Sequence, residues 1–213
     1  MQFFKNISLK TLTLAMLCGF VTAVLFSFAG FQAKSNVLRQ NVLRLHILAN
    51  SDSAADQALK LQVRNRLLAE TAELFKAAQS KAEAMQQAKQ RLPQLKQLAE
   101  EELRRHGCSD SVTVELGKSS FNTRHYNGFS LPAGEYDAVR VLIGKAQGHN
   151  WWCVLFPALC VPAATNSRGL EQAVPANAAE IAEQPQHYRV AFKSAEIYEE
   201  VKVTLKKLLK SNS

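Results

Sequence analysis

Residues 42–49, VLRLHILA, read as a β-strand: Leu43, Leu45, Ile47 and Ala49 fall on one face, and Val42, Arg44, His46 and Leu48 on the other. That is the period of two that a pleated strand imposes. One face is wholly apolar, while the other carries an arginine and a histidine. Asn50, Ser51, Asp52 and Ser53 then end the strand, because short polar side chains bond the local backbone in competition with a ladder. Ser53, followed three residues later by Asp56, has the form of a helix start, with the carboxylate in the first turn complementing the dipole. Leu59, Val63, Leu67 and Leu74, widened by Leu61, Leu68 and Phe75, recur near the helical period and predict a helix with a broad face to lay on a sheet.

Downstream, a second helical stretch runs from about Gln79 to His106 and contains Pro93. Proline removes a ladder hydrogen bond, so a break or kink is expected near Leu92. Arg104, Arg105 and His106 suit the negative end of the dipole, and Gly107 suits the left-handed cap. A β-rich region follows: Val112, Val114 and Leu116 alternate, and Tyr136–Ile143 is apolar enough for a central strand. Pro132, Ala133 and Gly134 precede that strand, and residues 144–150 lead to Trp151–Phe156, a return strand that would form a hairpin with it and stop at Pro157. Residues 161–186, rich in Ala, Pro, Asn and Glu, read as a mobile loop. Tyr188–Lys193 alternates as a further strand. From Ser194 a closing helix carries an apolar stripe at Ile197, Val201, Leu205 and Leu208, with Lys202, Lys206, Lys207 and Lys210 facing water. The expectation is one α+β domain, with helices packed on one side of a mainly antiparallel sheet of about four to five strands.

Before the first strand, Lys5 and Lys10 precede Thr11–Ala33, a stretch without a charge. A basic start, an apolar middle and the small-x-small triplet Ser27, Phe28, Ala29 fit a secretory signal peptide cut after Ala29. The run also exceeds the roughly 20 residues that cross a bilayer, so a retained anchor is the alternative to the preferred cleavage. Residues 1–33 are therefore read as signal peptide or signal anchor, and 34–213 as an exported domain working outside the cytoplasm.

The 213 residues are 47% apolar and 21% charged, which excludes a disordered or polytopic membrane chain. The net charge of +8 comes from Lys and Arg scattered over helical stretches without interleaved aromatics, so no nucleic-acid partner is expected. The five histidines and four cysteines show no metal-ligand spacing, and nine glycines form no phosphate-cradling loop; neither metal nor cofactor is expected. Cys153 and Cys160 flank Pro157 and can bond if the chain turns there, or remain buried thiols. A thiol or cell-wall hydrolase would pair Cys153 with His149 or His46 and an acid such as Asp52. The apolar run around Cys153 opposes that reading by raising the thiol pKa. Trp151 and Trp152, adjacent on a strand, face opposite ways, leaving one for the core and one for a contact.

Two blocks, RLHILANSDSAADQALKLQVRN at Arg44–Asn65 and LPAGEYDAVRVLIGKAQGHNWWCVLFPALC at Leu131–Cys160, closely resemble the stage II sporulation protein R family. The resemblance implies a protein that is not an enzyme. It would be exported from the forespore into the space between forespore and mother-cell membranes. There it would activate a membrane-embedded aspartic-type protease that matures a sigma-factor precursor. The family supplies no catalytic residues to transfer. Its motif positions here are Arg44, His46, Asn50, Asp52, Asp56 and Gln57 in the first block, and Gly134, Tyr136, Arg140, Asn150, Trp151, Trp152, Cys153 and Cys160 in the second. From these, Arg44, His46, Asn50, Asp52, Gln57, Arg140, Asn150, Trp151 and Trp152 are the expected partner-binding face. Asn50 and Asp52 have a structural alternative, that of shaping the turn and capping the helix.

Overall fold

A computed structural model describes residues 8–126, 129–159, 170 and 173–211. Helix α1, Leu9–Asn41, begins at Ser8, whose hydroxyl accepts the Thr11 N–H at 3.2 Å. Its apolar portion has a mean hydropathy of 2.2 with none of that window buried, which is long and apolar enough to cross a membrane. The helix does not end at Ala29 or Ala33. It continues until Phe31, Ser35 and Leu38 are buried in the domain, then passes through Val42 directly into strand β1, Leu43–Leu48.

Helix α2, Ala54–Ala77, starts where the sequence places it, with the Ser53 hydroxyl accepting the Asp56 N–H at 3.1 Å. Helix α3, Lys81–Arg105, runs through Pro93 without the expected break. Ala84, Ala88, Leu95, Ala99 and Leu103 are buried along one stripe on both sides of the proline, and that packing outweighs one lost backbone bond. Gly107, at φ 73°, closes the helix as expected, with the Cys108 N–H returning to the Leu103 carbonyl at 2.9 Å.

The remaining elements are β2 (Val112–Phe121), β3 (Arg124–Tyr126), β4 (Phe129–Leu131), β5 (Gly134–Ile143), β6 (Asn150–Phe156), α4 (Ala176–Glu183), a 3-10 turn (Pro185–Tyr188) and α5 (Arg189–Ser211). The four-stranded sheet has the order β2-β5-β1-β6, with β3 and β4 forming a separate hairpin. The expected hairpin between β5 and β6 does not form, because β1 lies between them, parallel to β5 and antiparallel to β6. The physical reason lies in β1 itself. Leu43, Arg44, Leu45, His46 and Ile47 are all buried, and a strand buried on both faces belongs in the middle of a sheet.

Helices cover both faces of the sheet, not one. Leu43, Leu45 and Ile47 of β1 pack with Val139, Val141 and Ile143 of β5 against α2 and α3. On the other face Val42, Phe121, Tyr136, Ala138 and Val154 pack with Phe31 and Leu38 of α1, the β3–β4 hairpin, α4 and the start of α5.

The C-terminal third departs most from the sequence reading. Tyr188–Lys193 is helical, not a strand. The alternation YRVAFK would put Val190 and Phe192 on one face; the helix separates them, leaving Val190 82% exposed and Phe192 buried against Phe31 at 5.3 Å between ring centroids. Part of the expected loop at 161–186 is also ordered structure: α4 buries Ala178, Ala179, Ile181 and Ala182, while residues 160–169, 171 and 172 lie outside the described residues. The expected stripe on the closing helix points outward, with Ile197, Val201, Leu205 and Leu208 each more than half exposed.

Candidate functional site

The sheet register assembles a cross-strand row that no single segment shows. Glu115 of β2 lies opposite Arg140 of β5, Arg140 beside His46 of β1, and His46 opposite Trp152 of β6. All four side chains share the α4–α5 face, because strand positions two apart return to the same side. One row further toward the covered core stand Gly117, Ala138, Arg44 and Val154. Four of the expected contact residues, Arg44, His46, Arg140 and Trp152, thus come together, and Asn150 joins them through its side chain.

His46 is the pivot. Its Nε2 lies 2.6 Å from Asn150 Oδ1 and its Nδ1 3.2 Å from the Ser119 hydroxyl, so a neutral ring donates to the first and accepts from the second. Burial pushes the imidazole below its ordinary 6.5; the Asn150 bond opposes this, and the Arg140 and Arg44 charges reinforce it. Phe121, from the far end of β2, folds over the face to 5.7 Å from the His46 ring and 5.8 Å from Trp152.

Arg44 is fully buried, yet no carboxylate meets it among the described residues. Its Nη2 donates to the Tyr126 hydroxyl at 2.5 Å, and its guanidinium lies 3.9 Å from the Phe121 ring centre and 5.0 Å from that of Tyr136. Nε and Nη1 have no hydrogen-bond partner, and neither do Arg140 Nε or Trp152 Nε1. Arg140 Nη1 donates to Glu115 at 2.6 Å, and Arg124 stacks on Trp152 at 3.6 Å. The buried Tyr136 hydroxyl donates to the Pro132 carbonyl at 2.7 Å, and burial raises its pKa to about 12. Arg44, Arg124 and Arg140 stand on this face, and among the described residues Glu115 is the one carboxylate that pairs with any of them, which leaves the face cationic.

The other expected residues sit elsewhere. Asn50 and Asp52 belong to the turn between β1 and α2, Gln57 to the first turn of α2, and all three are tied to their neighbours. Asn50 Oδ1 accepts the Lys145 N–H at 2.9 Å, Asp52 Oδ1 accepts from the His149 backbone at 2.5 Å and also meets its Nδ1, and Gln57 Nε2 donates to the Ser51 carbonyl at 2.9 Å. The His149 bonds hold the Asp52 carboxyl below its usual range. The loop at Gly148 is so close that a Cβ there would stand 2.1 Å from the Ser51 carbonyl oxygen. Trp151 faces the α2–α3 side, 4.9 Å from the Arg64 guanidinium, and so does not share the face of Trp152.

Cys153, opposite Leu45, also points to the α2–α3 side; it is buried and disulfide-bonded. His46 faces the other way and does not meet Cys153, His149 is engaged with Asp52, and a sulfur held in a disulfide is not the free thiol that the hydrolase reading needs from either pairing. Cys18 and Cys108 are free, and Cys160 lies outside the described residues. No group of three or more His, Cys, Asp or Glu placed to hold a metal occurs among the described residues.

Sequence reasoning missed Glu115, Ser119, Phe121, Arg124 and Tyr126. The first three continue the alternation of Val112, Val114 and Leu116 on the opposite parity, a signal that was present but had no meaning without the strand order.

Fold and face together define a class: an α+β domain carried on an apolar helix of membrane-crossing length, presenting a cationic and aromatic sheet face. The family model described as stage II sporulation protein R matches residues 39–166. A relative from Bacillus subtilis (strain 168), named stage II sporulation protein R, is 38% identical over 136 residues, 64% of this chain and 61% of its own length. The chain belongs to the stage II sporulation protein R family, which places it among sporulation proteins. It spans about 61% of the length of that curated relative. No solved structure matches it.

Proposed function

We propose that this chain is an exported signalling protein that docks on a membrane-embedded aspartic-type protease and shifts it toward its active arrangement, starting the maturation of a sigma-factor precursor. Family membership supports the sporulation context, and the apolar helix is compatible with export or anchoring at a membrane. The observation that carries docking is the row Glu115, Arg140, His46 and Trp152, where the partly exposed Arg140 and Trp152 share one face and the exposed Arg124 stacks on Trp152. Such residues dominate protein contacts because they combine buried area with directional bonds. Activation by docking requires only that the ligand bind the active receptor more tightly than the resting one; a few kcal/mol of difference moves most of the population.

The test is reconstitution of the full chain with the candidate protease and the precursor in one membrane preparation. Cleavage only when chain and protease are both present is the expected result. Turnover of the precursor by the chain alone would overturn the reading.

A further inference from the structure

The donors left without acceptors on the sheet face have a common location and a common need. Arg44 Nε and Nη1, Arg140 Nε and Trp152 Nε1 belong to residues in two adjacent rows of one face. Buried N–H groups without partners are rare in folded proteins and costly when charged. The only carboxylate on the row, Glu115, is already engaged at its far end by Arg140 Nη1. Arg124 and Arg44 are left with rings and a phenol for company. Arg140 is one-third exposed and Trp152 half-buried, so both side chains reach solvent beside their buried Nε groups.

We propose that this face is a carboxylate-binding site: an acidic side chain, on a peptide segment of the partner lying across β1 and β6, pairs with Arg124 and Arg140 beside Trp152. The proposal rests on the docking reading above and adds to it the chemistry of the partner. Arginine suits the role because its planar fork matches a carboxylate. Burial and the charges of Arg140 and Arg44 favour the neutral His46 ring, so its donor to Asn150 stays fixed and it adds no further positive charge. Arg44, wholly enclosed, acts as a positioning residue that holds the Phe121 and Tyr126 rings and contributes its field. Glu115 at the end of the row disfavours a multiply charged phosphate and tolerates a single carboxylate held at the Trp152 end.

The experiment uses the full chain in the reconstituted activation assay. Arg124→Gln and Arg140→Gln are each expected to raise the half-maximal concentration about tenfold, the effect of losing one charged hydrogen bond. Lys89→Gln, on an exposed position of α3, is expected to leave it unchanged. Raising salt should weaken the unaltered chain more than the double Gln variant. In a second arm, Arg124→Lys and Arg140→Lys keep the charge and supply an amine, so zero-length carbodiimide coupling should join position 124 or 140 to an Asp or Glu of the protease. A coupled peptide mapped to either position supports the proposal even where a Gln variant folds poorly. If the unaltered chain activates but the Gln variants match it and no coupling maps to these positions, the carboxylate site is wrong and docking stands. If the unaltered chain does not activate at all, the docking reading and the site fall together.

Discussion

Replacing Arg44 with methionine separates a structural arginine from one held at a cost for function. The substitution removes the bond to Tyr126, worth about 1.5–3 kcal/mol as a charged hydrogen bond. It also removes the desolvated stacking on Phe121 at 3.9 Å, worth about 2 kcal/mol. Against this loss of roughly 4 kcal/mol stands the relief of two buried N–H groups without partners, each costing about 1–3 kcal/mol. Methionine occupies a similar length of channel between Phe121 and Tyr136, and the half-buried Tyr126 hydroxyl can turn to water. The expected net change lies within about 2 kcal/mol of zero in either direction, as found when buried ions give way to apolar residues of like volume. Urea unfolding of the full chain in mild detergent, followed by the fluorescence of Trp151 and Trp152, should then show a midpoint shifted by about 1 M or less. Activation of the protease, by contrast, should fall at least tenfold. A loss of stability beyond about 3 kcal/mol, with activation lowered only in proportion to unfolded protein, would refute the reasoning and make Arg44 an ordinary core residue.

Four further outcomes follow from the same geometry. His46 has a folded pKa below its unfolded 6.5, so the unfolded chain takes up its proton first; stability should be full above pH 6.5, decline as pH falls toward the folded value, and His46→Gln should flatten that part of a denaturation-versus-pH curve. Gly148→Ala should destabilise by about 1–3 kcal/mol in urea titration, because the added carbon meets backbone at Ser51 and not a side chain that can swing away. Tyr136→Phe should cost about 1–2 kcal/mol by leaving the Pro132 carbonyl without its donor. A chain starting at Gly30 should fold, whereas one starting at Val42 should lose several kcal/mol in the same titration, since Phe31 and Leu38 are core residues and each large-to-small loss of this kind costs about 2–5 kcal/mol.

The local parts of this fold were legible because their causes are local. The period of β1, the Ser53 cap with Asp56 and the Gly107 stop each depend on a handful of neighbouring residues, and each appears where the sequence places it. What the sequence hid depends on partners far along the chain. The parallel pairing of β1 with β5 joins segments some ninety residues apart, and two apolar strands separated by a turn look like a hairpin until a third is known to lie between them. The stretch YRVAFK is too short for periodicity to decide, and packing of Phe192 on Phe31 settles it. For the site, His46 and Arg140 stood out as polar residues in apolar strands, whereas Glu115 became meaningful only through register.

The continuity of α1 with β1 gives the proposed docking a geometric basis. If Thr11–Gly30 crosses a bilayer, about 20 residues as such a span requires, the helix from Gly30 to Asn41 rises roughly 17 Å further at 1.5 Å per residue. Val42 then leads straight into β1, with Phe31, Ser35 and Leu38 fixing the helix against the same core that supports the row. No flexible linker separates the apolar helix from the strand carrying Arg44 and His46, so the cationic face cannot sample all directions. A retained helix would hold the face at one height and one orientation above the membrane. The entropy of orienting two partners is a large part of the cost of association, and a rigid helix would remove much of it before the proposed contact with a membrane receptor. A cut after Ala29 leaves the three buried residues in place, keeping the site while surrendering the orientation. The two forms should therefore differ in the concentration needed for activation and not in the maximal rate reached.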